Sequence, residues 1–211
     1  MNKEIENCQK AKKQFIERGH HAELILDNED ITVIDWINKN NGSDYYVRYI
    51  LSRTDHRQNI SVLGDLGDAI FEFFWNREDF SIESFARKIP ESNIYYWLEK
   101  LQASSDLYDY NSYEAEISLS EHLKSYFENE DDWDTKYYDN LKELVSDCME
   151  DFNHNGFGSK AYDIVSDIDC DCWEWLPYCG RKLNFRYYLW IVGLVMACKQ
   201  IASERIMQNN E

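Results

Sequence analysis

The alternation of apolar and polar positions changes character near residue 80. Before that point, short aromatic and β-branched runs are separated by polar turns: Tyr45–Leu51 (YYVRYIL), Asn59–Leu63 and Ala69–Trp75 (AIFEFFW). Such residues fit a pleated surface, and runs bounded by turn signals read as strands, so the stretch predicts an antiparallel meander. Gly64 and Gly67 supply the turn or bulge conformations that a Cβ would penalise. Upstream, residues 3–18 have the charge-rich texture of a surface helix, and Gly19 is placed to stop it. Glu23–Leu26 and Ile31–Ile37 flank the turn-like Asp27-Asn28-Glu29-Asp30. The second run is open between strand and helix, because a short apolar run does not fix its own period. Asn38–Asp44 reads as a loop.

After residue 80 the period becomes helical. Ser81 and Ser84 ahead of Phe85 and Ile89 predict a short capped helix that ends before Pro90. Asn93–Gln102 and Ser118–Asn129 are further helix candidates. In Trp133–Phe152, the side chains of Tyr137, Leu141, Leu144, Val145, Cys148 and Phe152 fall on one face at 3.6-residue spacing, with Asp139, Glu143, Asp147 and Glu150 opposite. A loop at Asn153–Gly158 precedes a helix near Lys160–Ile168. The last helix, Asn184–Arg205, is apolar nearly all round in its middle and belongs in a core. The pattern predicts a single α+β domain over residues 1–211. In it, a small antiparallel sheet at about residues 45–75 packs with a dominant helical layer and a buried C-terminal helix.

Composition agrees with a packed domain: 15% of residues are aromatic and two are proline, unlike a disordered acidic chain. The longest apolar stretch, Tyr187–Cys198, falls short of the roughly 20 residues a bilayer requires, and no apolar run follows the N-terminal basic residues. The expectation is a cytoplasmic protein with no membrane contact, whose six cysteines are reduced thiols.

Charge changes the picture more than composition does. The helical segment 106–174 holds 20 of the 40 acidic residues against four lysines and no arginine, a net charge of −16 out of −18. A field of one sign attracts basic surfaces and repels nucleic acid, so no direct nucleic-acid binding is expected. Carboxylates four residues apart on a helix stand about 6 Å apart, close to the phosphate spacing along one nucleic-acid strand. Asp139, Glu143, Asp147 and Glu150, with Asp131, Asp132 and Asp134 upstream and Trp133 as an aromatic anchor, form the candidate partner-binding set. A solvated helix face that keeps the protein soluble explains the same residues.

Candidate chemistry is sparse. Asp151-Phe-Asn153-His-Asn155-Gly156 matches the start of a calcium loop, but Tyr162 stands where a bidentate Glu belongs. Cys170, Cys172 and Cys179 could supply zinc thiolates, or could simply be small buried residues. Gly64-Asp-Leu-Gly67-Asp68 lacks the Lys and Ser/Thr of a phosphate loop and reads as a turn. Arg181, Lys182 and Arg186 form a basic cluster suited to internal pairing with the acidic block. No catalytic constellation emerges, so neither an enzyme nor a cofactor is expected.

Three stretches carry a resemblance: YYVRYILS…NISVLGDLGDAIFEFFW, SIESFARKI, and WEWLPYCGRKLNFRYYLWIVGLVMACKQ. Together they resemble a loosely defined group of small proteins from phages and mobile elements of Gram-positive bacteria, in which a GD-x-G turn follows a strand and a G-[RK] segment opens the closing helix. Some of that group are anti-CRISPR inhibitors of type II effectors (Cas9). The resemblance implies a phage setting in a host bacterial cell and brings no inhibitory residue pattern with it. The expected function is an anti-CRISPR inhibitor that occupies the basic nucleic-acid groove of a Cas9-type effector. The alternatives are a zinc-binding regulatory or structural phage protein, or an acidic interaction module for another basic host protein.

Overall fold

The structure, a computed structural model, describes residues 3–40, 44–128 and 136–209, the side chains of residues 128 and 136–139 excepted. Its first elements are α1 (Lys3–Glu17), β1 (His20–Asp27), β2 (Ile31–Asn38), β3 (Val47–Arg53), β4 (Gln58–Gly64) and β5 (Ala69–Phe73). They are followed by α2 (Ile82–Ala86), α3 (Ile94–Lys100), β6 (Leu101–Ser104), β7 (Tyr108–Tyr110), α4 (Ser112–Glu128), α5 (Lys136–Met149), α6 (Ser159–Ser166), β8 (Arg181–Leu183) and α7 (Phe185–Gln208). The chain divides into two compact units: Met1–Leu107 with Phe185–Glu211, and Tyr108–Asn184. The second unit is inserted between β6 and α7, and the acidic segment 106–174 coincides with most of it.

In the first unit six antiparallel strands lie in sequential order, β1 to β6. Alternation turns one face inward: Val47, Tyr49 and Leu51, then Ile60 and Val62, then Ala69, Phe71 and Phe73 are buried. α7 covers that face. The Tyr49 hydroxyl donates to the Trp190 carbonyl at 2.9 Å, and Gly193 leaves it room, since a Cβ there would stand 2.4 Å from the Tyr49 oxygen. Around β5 the aromatic side chains gather: Phe73 has Trp75, Phe80, Phe85, Tyr96 and Trp97 within about 6 Å, ring to ring. Each such buried ring contributes roughly 1.5–3 kcal/mol of transfer free energy. Helix α1 contributes Cys8, Ala11 and Phe15 to the same core.

The α+β class and the buried closing helix are as the sequence predicts, but the sheet is wider than residues 45–75. Ile31–Asn38 is a strand, paired on both edges by β1 and β3. The helix expected over Asn93–Gln102 stops at Lys100, and Leu101–Ser104 pairs with β5 instead. An open sheet edge offers backbone partners that outweigh the weak helical preference of so short a segment. The Gly64 to Gly67 stretch is the turn expected: Gly64 (φ 139°) lies so close to Tyr46 that a Cβ would meet its carbonyl oxygen at 2.3 Å. Ser81 caps α2, accepting from the Ser84 amide. Among the described residues no helix is long and apolar enough to cross a membrane.

Candidate docking surface and a cationic cleft

The second unit is closed at its ends by the β7–β8 pair, which sets Tyr108 against Leu183 and Tyr110 against Arg181. Asn184 strengthens the closure by donating to the Asp109 carboxylate at 2.8 Å. Inside, Leu119 and Leu123 of α4 meet Leu141, Val145 and Cys148 of α5, and Ala161 and Val165 of α6. Once each helix has turned its apolar stripe inward, its acids face water. Residues 108–184 carry 19 acidic and six basic residues, a net of −13, whereas the other unit, with 21 and 16, carries −5.

Among the described residues, the ion pairs of this unit are few. Lys182 binds Glu114 and Lys160 binds Glu150. Arg181 stands over the Tyr108 ring at 3.3 Å and near Tyr178 at 5.0 Å. The internal pairing expected of the basic cluster therefore holds for Lys182, whereas Arg181 goes to tyrosines. Among the described residues, Glu116 and Glu121 on α4, Glu143 on α5, and Asp163 and Asp167 on or ending α6 are exposed and have no basic side chain within 4.0 Å.

Of the expected partner-binding residues, Asp131, Asp132, Trp133 and Asp134 lie outside the described residues. Asp139 belongs to α5, but its side chain also lies outside that description. Glu143 is exposed and Asp147 half-buried, and both rim a recess of about 320 Å³ walled by Phe127, Leu141, Leu144 and Ile168. Glu150 is exposed but drawn to Lys160. Glu116, Glu121, Asp163 and Asp167 are not in the expected set: α4 begins at Ser112 rather than Ser118, which brings Glu116 onto the helix with Glu121, and the short α6 shows no face by pattern alone. The i, i+4 spacing of Asp163 and Asp167 was the available signal.

The calcium-like residues build a turn. The Asp151 carboxylate accepts from the Lys160 amide at 2.8 Å in the first turn of α6, and Asn153 accepts from the Asn155 amide at 2.8 Å. A carboxylate on free amides at a helix start is a cap supplied from outside the helix. The three candidate zinc cysteines are not gathered. Cys172 and Cys179 sit in the core of the unit, while Cys170 is exposed, its thiol 3.7 Å from the Asp171 carboxylate. Burial pushes the Cys179 thiol up to about 12, and burial with nearby Asp147 and Asp151 pushes Cys148 up to about 11, so both are protonated packing groups. Among the described residues, the cluster of three possible metal ligands is Asp169, Cys170 and Asp171. Asp169 already accepts from the Trp175 indole at 2.8 Å and from the Asp171 amide at 2.9 Å.

The first unit carries a different surface. After β5 the chain turns through Phe74 and Trp75, and with Arg87, Lys88, Ile89 and Asn93 these residues line a cleft of about 710 Å³. That volume falls in the range of small-molecule sites. Trp75 is fixed as its wall, stacked on Phe85 at 5.4 Å and donating from its indole N–H to the Tyr96 hydroxyl at 2.8 Å. The Lys88 ammonium stands 4.1 Å from the Trp75 ring centroid.

No protein-family model matches this chain, and neither a curated protein nor a solved structure is significantly similar to it.

Proposed function

We propose that this chain is an inhibitor that docks by charge onto a basic nucleic-acid-binding protein, with a Cas9-type effector as its target. The observation that carries the reading is the segregation of charge. A compact, helix-built unit holds −13 of the −18, and among the described residues Glu116 and Glu121 of α4, Glu143 of α5 and Asp163 of α6 have no basic side chain within 4.0 Å. Solubility alone is served by mixed charges of modest excess. A groove built for nucleic acid is lined with Lys and Arg spaced for phosphates, and in Cas9-type effectors the heteroduplex is held through its backbone rather than its sequence. Carboxylates held on packed helices answer such a groove without base readout. The choice of Cas9 among basic partners rests on the resemblance of the strand-turn and closing-helix segments.

The test is target-DNA cleavage by several guide-loaded Cas9 orthologues, with and without the protein, at about 50 and 200 mM salt. The expected result is inhibition of at least one orthologue that weakens at the higher salt. It should be lost when Glu116, Glu121, Asp163 and Asp167 are changed to Lys, and also in an Asp139→Lys, Glu143→Lys, Asp147→Lys variant, both with native far-UV circular dichroism. Cleavage unaffected in every orthologue would overturn the choice of target. Inhibition that survives both sets of reversals would overturn the acidic surface as the docking face.

A further inference from the structure

The cleft of the first unit presents two adjacent cations in a chain with nearly twice as many acidic as basic residues. Among the described residues, neither Arg87 nor Lys88 has a carboxylate within 4.0 Å, and the polar contact of the Arg87 guanidinium is a 3.5 Å approach to the Ser84 hydroxyl. Other arginines of this unit do have acidic partners: Arg48 binds Asp35, Arg57 binds Glu72, Arg77 binds Asp30 and Arg205 binds Asp27. Lys88 is also half-buried, and burial lowers its ammonium pKa, an unfavourable placement that a bound anion would offset. Beside the cations the fold leaves two large apolar side chains in water, Phe74 at 71% exposure and Ile89 at 59%. Asp79, the acidic residue in the lining, accepts from the Asn76 amide at 3.3 Å and does not pair with either cation.

Two cations next to exposed apolar side chains, in a recess of this size, define the complement they would take. We propose that this cleft binds a small organic oxyanion with an aromatic body, its carboxylate or phosphate between Arg87 and Lys88 and its ring against Phe74 and Ile89. The site is built from residues of the first unit alone. Charge-assisted contacts hold the oxyanion, and the fixed Trp75 wall holds Lys88 in place for it.

The test is titration of the ¹⁵N-labelled full chain with phenyl phosphate, benzoate, benzyl alcohol and inorganic phosphate, each to about 10 mM, read by amide and indole chemical shifts. Saturable shifts at Phe74, Trp75 and Lys88 with phenyl phosphate or benzoate are expected, and the tighter of the two identifies the oxyanion. Benzyl alcohol and inorganic phosphate should each bind at least about tenfold more weakly. Arg87→Gln, at an exposed position, should weaken the aromatic anion by about tenfold while leaving the rest of the spectrum in place. Lys88→Gln should do the same. The proposal is overturned by the absence of saturable shifts with both aromatic anions. Equal binding of benzyl alcohol or of inorganic phosphate, or undiminished binding by Arg87→Gln, would overturn it as well.

Discussion

In the first unit, arginines from one element reach carboxylates on another. Arg48 of β3 forms a bidentate pair with Asp35 of β2 at 2.7 and 2.8 Å, Arg77 reaches Asp30 across the sheet end, and Arg205 of α7 joins Asp27 of β1 to Glu83 of α2. In the second unit the described pairs are Lys160 with Glu150 and Lys182 with Glu114, and Glu116, Glu121, Glu143 and Asp163 of its helices are exposed. Both units carry an excess of acid, the second the larger one, and pairing separates them further. In one unit carboxylates are part of the scaffold, and in the other they are a surface field. The paired carboxylates of the first unit should therefore be structural, and the exposed helix carboxylates of the second, Glu116, Glu121, Glu143 and Asp163, dispensable for folding.

The largest effect expected on that contrast comes from the core beneath the paired charges. Phe73→Ala removes a fully buried ring from the aromatic cluster and should lower unfolding free energy by about 3–5 kcal/mol in denaturant titration. A loss under 1 kcal/mol would mean that the cluster around β5 is not the centre of the core. Next come matched single neutralisations. Asp35→Asn weakens a bidentate pair and the Tyr46 hydroxyl bond at 3.0 Å, and should cost about 1–2 kcal/mol after allowing for the exposed Arg48. Glu121→Gln on α4 should change stability by no more than about 0.5 kcal/mol, or raise it slightly by relieving repulsion. Equal costs at the two sites would break the comparison.

The smallest effect concerns acid. Burial alone would raise the Asp27 carboxyl, but hydrogen bonds from Thr32 and Arg205 and the nearby Arg53 charge outweigh it and hold it below its ordinary value of 3.8. A carboxyl lowered in the folded state adds stability that is present above pH ~4 and disappears as pH falls through the lower, folded value. Asp27→Asn should therefore be less stable than the parent at pH 6. The difference in melting temperature should shrink as pH drops below about 4. A difference that is constant with pH would remove Asp27 from the acid response.

Local pattern carried much of the fold. Tyr45–Leu51, Asn59–Leu63 and Ala69–Trp75 announced strands because alternation is a property of neighbours in sequence, and the all-round apolar run Tyr187–Cys198 announced a core helix for the same reason. Ile31–Ile37 stayed ambiguous until β1 and β3 were seen to pair with it, since a run of that length satisfies either period. Leu101–Ser104 took its strand form from the β5 edge rather than from its own residues.

The same division runs through the candidate sites. The sequence by itself determined that acid is concentrated in 106–174 and that α5 has an acidic and an apolar face. Only the tertiary structure decided how the charges pair: Glu150 meets Lys160 across a turn, while Glu116, Glu121, Asp163 and Asp167 meet no cation among the described residues. It also separated exposed Cys170 from buried Cys172 and Cys179, and set Arg87 and Lys88 beside Phe74 and Trp75. The physical reason is range. Period and charge density are sums over neighbouring residues, whereas desolvation and pairing depend on which distant side chains the fold brings within a few ångströms.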